Sequence, residues 1–216
     1  MWYDSPYMFT RDYKTFAPGE FFHIYNRGNN KQDIFLDDSD YEFFLLRIKQ
    51  NLYPDRFKEL KIQPLPQGSF TLISYCLMPN HFHLLVRQNG DIPTSKLMLK
   101  ICSSYSKVFN KKYERVGHVF QDQFKQILIG RDEYIKWLMA YICQNPKIAG
   151  LVKSAIDYKW SSYREYFKRG NDILCDNDTV AELFGKQNIS EFIENSYKII
   201  KNNKIGRHIE SEALID

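Results

Sequence analysis

Cysteine is scarce and scattered in this chain: four in 216 residues, Cys76, Cys102, Cys143 and Cys175, with no C-x-x-C among them. That spacing excludes a zinc ribbon or a dense disulfide framework, so free thiols in a reducing compartment are expected. No stretch approaches the roughly 18 apolar residues of a membrane span. The opening residues, MWYDSPYMFTRDYK, lack a basic segment followed by an apolar run. A cytoplasmic location with no membrane partner is therefore expected. Internal repeats and low-complexity tracts are missing too. At 216 residues the chain suits one well-buried core with a small appendage rather than two full domains.

What is abundant is aromatic: 15 Tyr and 16 Phe in a chain that is 44% hydrophobic and 26% charged. The net charge of +4 favours an anionic partner only weakly. Its distribution says more. Between Lys96 and Lys125 seven basic residues meet only Glu114 and Asp122, with aromatics interleaved. Such a stretch suits phosphate neutralisation with base stacking, and equally a solvated helix face.

Residues 1–18 lack periodicity and are expected to form an extended arm. EFFHIYNRG is a short strand ending at Gly28, which places Asn26 and Arg27 at a glycine-containing loop. DDSDYEFFLLRIKQNLY opens with N-cap candidates Asp38 and Ser39 and has helical spacing at Phe43, Leu46 and Leu52. SFTLISYCLM and HFHLLVRQ are antiparallel strands across a Pro79-Asn80 turn. A long helix runs from Pro93-Thr94 to about Lys112, and GHVFQDQFKQILIG alternates as a strand. RDEYIKWLMAYICQNP is a helix that Pro146 should end. The order predicts an α+β, ferredoxin-like (split βαβ) antiparallel sheet with helices on one face over residues 19–170. Residues 171–216 are expected to be a C-terminal helical extension.

The chemistry centres on MPNHFHLLV. In a strand, i and i+2 share a face, so His81 and His83 project together while Phe82, Leu84 and Val86 face a core. Two imidazoles at that spacing can share one metal ion, although a solitary H-x-H is more often structural. On the helix at 131–146, Ile135, Leu138, Met139 and Ile142 form the apolar stripe. Tyr141 lies roughly 110° from its centre, with Asn145 one turn further on the same side. By spacing alone Tyr141 could equally be structural, and Asn145 an ordinary residue before proline.

MPNHFHLLV resembles the His–hydrophobic–His (HUH) motif of the single-tyrosine (Y1) transposases. FHIYNRGNNKQDIF, GHVFQDQFK, YICQNPKIAGLV and DYKWSSY follow the order seen in REP-associated tyrosine transposases, and the resemblance covers about residues 20–167. It implies an HUH endonuclease fold, a metal site at His81 and His83 completed by Asn145, and Tyr141 as nucleophile. Gln144, about 100° round the helix from Asn145, is the weaker substitute. The implied cofactor is Mg²⁺ or Mn²⁺, with imidazole favouring Mn²⁺. The implied reaction cleaves and rejoins single-stranded or hairpin DNA through a 5′-phosphotyrosine. Asn26, Arg27, Lys107, Lys111 and Lys112 are candidate DNA contacts. The chain could act as a monomer or a homodimer.

Two other readings compete. A non-catalytic ferredoxin-like module stacking single-stranded nucleic acid would explain the aromatics but not the paired imidazoles. A host-retained nuclease acting on chromosomal repeats would keep the chemistry and lose mobility. A histidine-triad hydrolase would need a third histidine where Leu85 stands. His23 and His118 are expected to be structural.

Overall fold

The computed structural model describes residues 18–59, 63–130, 132–168 and 173–202. The expected arm lies outside these except for Pro18, as do residues 171–172 and 203–216 of the expected extension. In chain order the main elements are β1 (Phe21–Arg27), α1 (Asp38–Leu52), β2 (Phe70–Met78), β3 (His81–Gln88), α2 (Thr94–Lys112), β4 (Lys125–Ile129), α3 (Asp132–Ile148), α4 (Asn177–Phe184) and α5 (Ile189–Asn202). Among the described residues no helix is long and apolar enough to cross a membrane.

The four strands form one antiparallel sheet in the order β2-β3-β1-β4. With α1 and α2 as the crossovers, this is the split βαβ arrangement of the ferredoxin-like α+β class. The helices are not confined to one face, however. Phe82, Leu84 and Val86 of β3 join α1 and α2 in one core. Leu85 of β3 joins Ile73, Cys76 and Met78 of β2 and the buried stripe of α3 in a second. Both faces of the central strands are apolar, so each needs a cover. A one-residue bulge between Leu72 and Ser74 shifts the alternation of β2, so that Leu72 and Tyr75 serve the first core while Ile73 and Cys76 serve the second.

Three local expectations are corrected. In α1 the inward stripe is Tyr41, Phe44, Ile48 and Leu52, whereas Leu46 faces solvent. The register is set at its start by a capping box in which Asp37 and Asp40 bond each other's backbone N–H. The fourth strand spans only Lys125–Ile129. Its expected beginning is diverted to close the end of β1, with Phe120 bridging Gly28 and Gln121 N–H donating to the Arg27 carbonyl. Helix α3 continues past Pro146 to Ile148, because the next turn recovers its bonds from Ala149 N–H to the Asn145 carbonyl and Leu151 N–H to the Pro146 carbonyl.

The C-terminal helices brace α3. Ile193 and Ile200 of α5 are buried against it, Gln144 donates its amide to the Ile193 carbonyl at 2.8 Å, and Lys147 pairs with Glu194 at 3.3 Å. The approach to these helices is fixed by Glu165. Its carboxylate accepts from the Leu174 and Cys175 N–H groups at 2.9 and 3.0 Å and from the Tyr75 hydroxyl at 2.7 Å. Glu165→Ala is expected to cost about 2–3 kcal/mol, because three donors lose a charged acceptor at once. A denaturant titration measures it, and an unchanged midpoint would show the bracket to be dispensable.

Candidate active site

Strand alternation and the β1–β3 register build the site. His81 and His83 share a face of β3, and their Cα partners on β1 are Arg27 and Tyr25. His23, Tyr25 and Arg27 therefore point to the same side of the sheet as the two histidines. The turn before His81 is stitched to the loop after β1. Pro79 O accepts from the Ile34 and Phe35 N–H groups, Asn80 O accepts from Gly28 N–H, and the Asn80 amide donates to Lys31 O. That last bond orients the amide, leaving Asn80 Oδ1 to accept from His81 Nδ1 at 2.6 Å. His81 then carries its proton on Nδ1 and a lone pair on Nε2.

Gly28 is essential to this stitching. A Cβ there would stand 2.1 Å from Gln32 O and 2.8 Å from Ile34 Cγ2, both within the loop that holds the turn. Gly28→Ala is expected to cost about 1–3 kcal/mol in overpacking. Calorimetric unfolding checks it, and an undisturbed melting temperature would mean that the loop moves aside freely.

Helix α3 covers the histidines. The Tyr141 ring meets the His83 ring edge to face, centroids 5.5 Å apart, and Asn145 lies beside His81, where it favours the charged imidazole. His83 is buried, with His23 Nε2 3.0 Å from its Nδ1. Burial, and then the positive charge of Arg27, push His81 down to about 4. His83 is held well below its ordinary value by burial and then by its histidine neighbours, and burial takes His23 down to about 3. At neutral pH all three are uncharged lone-pair donors.

The structure thus brings together four of the residues expected at the site: His81, His83, Tyr141 and Asn145. Tyr141 is more enclosed than its position beside the apolar stripe suggested, at 1% exposure. Gln144 is spent on α5. Arg27 belongs to the last residue of β1 rather than to a loop; it is half-buried beside His81, and its Nε is buried with no hydrogen-bond partner. Asn26 points to the other face and is a brace, donating to Asp122 O at 3.0 Å and accepting from Arg27 N–H at 2.8 Å. Lys107 and Lys111 are exposed on α2, in the layer across the sheet from the histidines. Lys112 is committed to Asp37 and Asp40 at 2.7 and 2.8 Å, and its ammonium holds the Asp37 carboxyl well below the usual range. The residue that spacing undervalued is His23, whose only signal was an imidazole in a strand of apolar neighbours.

Among the described residues no cluster of three His, Cys, Asp or Glu could hold a metal ion. The donor set that fits a divalent cation is two neutral imidazoles with the Asn145 amide oxygen, which leaves coordination positions for phosphate oxygens and water.

Residues 46–145 match the family model described as transposase, IS200 like. A Haemophilus influenzae protein named as a REP-associated tyrosine transposase is 25% identical over 128 residues, 54% of this chain and 72% of that protein. The solved structure of a REP-associated tyrosine transposase bound to a REP hairpin matches with a TM-score of 0.55 at 17% identity, over 79% of this chain and 90% of that one. Residues 46–145 thus resemble the IS200-like transposase family, and the chain shares its fold with a REP-associated tyrosine transposase.

Proposed function

We propose that this protein is a metal-dependent single-strand DNA endonuclease and transposase that cleaves and rejoins DNA at hairpin ends through a 5′-phosphotyrosine. The observation that carries this reading is that α3 sets Tyr141 against His83 and Asn145 beside His81, bringing together two elements that meet only in the folded chain. It is supported by the family match and by the hairpin-bound relative of the same fold.

His81, His83 and Asn145 would hold Mg²⁺ or Mn²⁺, which when bound polarises the scissile phosphate and offsets its charge. The side chains do the rest. The half-buried Arg27 guanidinium, with an unpaired buried Nε, is suited to receive a phosphate oxygen. The Tyr141 oxygen attacks phosphorus, forming the Tyr–O–P bond as the P–O3′ bond breaks. The phenol proton passes to water, and the departing 3′ oxygen takes one up from water to leave as a 3′-OH. The packing of Tyr141 on His83 limits the ring's freedom, which lowers the entropic cost of aligning its oxygen with phosphorus. Because the phosphotyrosine retains the ester, a second 3′-OH can reverse the step and rejoin the strand. A base-stacking module would have no use for a buried phenol beside two uncharged imidazoles.

Incubation with single-stranded hairpins from the flanking genomic DNA, with Mn²⁺ or with EDTA, tests the proposal. A protein–DNA adduct that survives denaturing electrophoresis only with Mn²⁺ is the expected result. Hairpin binding without an adduct under any metal would overturn the nuclease reading in favour of the binding module.

A further inference from the structure

His23 occupies an unusual place. It is the third residue of a central strand, its Cα partners are Leu85 on one side and Ile127 on the other, and its side chain is 1% exposed. An aliphatic residue would fill that row at no polar cost. The imidazole instead reaches diagonally across the β1–β3 pair and sets its Nε2 3.0 Å from His83 Nδ1, with the two rings nearly parallel at 20°.

A contact between two ring nitrogens at that distance holds one proton, and only two arrangements are possible. If His23 donates, His83 accepts on Nδ1 and carries its proton on Nε2, and neither nitrogen of His83 can ligate. If His83 donates from Nδ1, its Nε2 lone pair is free. We propose that His23 is a positioning residue that accepts the Nδ1–H of His83 and so fixes the ligating tautomer of that histidine. This rests on His83 being a metal ligand, as proposed above. Asn80 does the same for His81 from the turn, its Oδ1 accepting from His81 Nδ1. Both histidines would then present Nε2, each held by a partner outside the ligand set, the arrangement that fixes ring orientation at histidine metal sites.

The test compares the full chain with its His23→Phe and His23→Gln variants. Phenylalanine keeps the ring but cannot accept a hydrogen bond, whereas the glutamine amide oxygen can. Mn²⁺ binding, followed by the loss of the free-ion electron paramagnetic resonance signal, is expected to weaken roughly 10–100-fold in His23→Phe and to recover in His23→Gln. Long-range ¹H–¹⁵N spectra of histidine-labelled wild-type protein should show His83 protonated on Nδ1. Equal Mn²⁺ affinity in wild type and His23→Phe, or a wild-type His83 protonated on Nε2, would overturn the inference while leaving the metal reading in place. A wild-type protein that takes up no Mn²⁺ would instead overturn the metal reading, and the inference with it. The tautomer measurement needs no variant, so a His23→Phe chain that fails to fold does not shelter the idea.

Discussion

Tyr141→Phe is expected to abolish the covalent protein–DNA adduct while leaving the fold and hairpin affinity near their wild-type values. The substitution removes a single oxygen. The ring that meets His83 edge to face at 5.5 Å remains, as does its packing within the α3 core. Loss of one hydroxyl should therefore change stability by no more than about 1 kcal/mol. The chemistry has no such tolerance, because the Tyr–O–P bond cannot form without the phenolic oxygen. Gel-shift titration measures binding, and denaturing electrophoresis of the same samples measures the adduct. A Tyr141→Phe protein that still forms the adduct would move the nucleophile to another of the 15 tyrosines.

The second large effect is expected from His81→Ala, which should weaken Mn²⁺ binding by at least about 100-fold, since partners outside the ligand set are by themselves worth roughly 10–100-fold. Adduct formation should fall with it. His81 is a cleaner target than His83. It is only half-buried, and its Nδ1 partner is the Asn80 side chain in a turn, so truncation should cost about 1 kcal/mol of stability. His83→Ala would in addition open a space beside Tyr141 and leave a buried His23 without its partner. Isothermal titration with Mn²⁺ measures the change. Unaltered affinity in a folded His81→Ala protein would remove the histidine pair from the metal site.

Much of the architecture follows from local periodicity. Alternation in HFHLLVRQ separates two histidines from the core residues between them, and the strand and helix order limits the sheet to few topologies. The boundaries of β1, β2, β3 and α2 lie within about a residue of where those patterns begin and end. Where periodicity misleads, a longer-range demand has prevailed. The residues from His118 to Phe124 alternate like a strand, yet the end of β1 needs hydrogen-bond partners and takes them from Phe120, Gln121 and Asp122. The apolar residues Phe43 and Leu46 have helical spacing, but the sheet accepts the stripe that begins at Tyr41, because the capping box sets the rotation of α1.

The same division runs through the site. The residue types for a metal-assisted attack are visible in the chain itself: H-x-H on one strand face, and Tyr141 and Asn145 one turn apart on a helix. Only the tertiary structure decided that α3 lies on the histidine face rather than with α1 and α2. It likewise decided that Arg27 turns toward His81 while its neighbour Asn26 braces the opposite side, and that Lys112 answers two carboxylates 75 and 72 residues away. His23 and His83 are 60 residues apart and meet on a diagonal of the sheet. The physical reason is one of range. Side-chain direction along a strand or helix is set by the backbone geometry of a few consecutive residues, whereas the partner of a buried polar group is set by strand register and layer packing, which exist only once the whole sheet has closed.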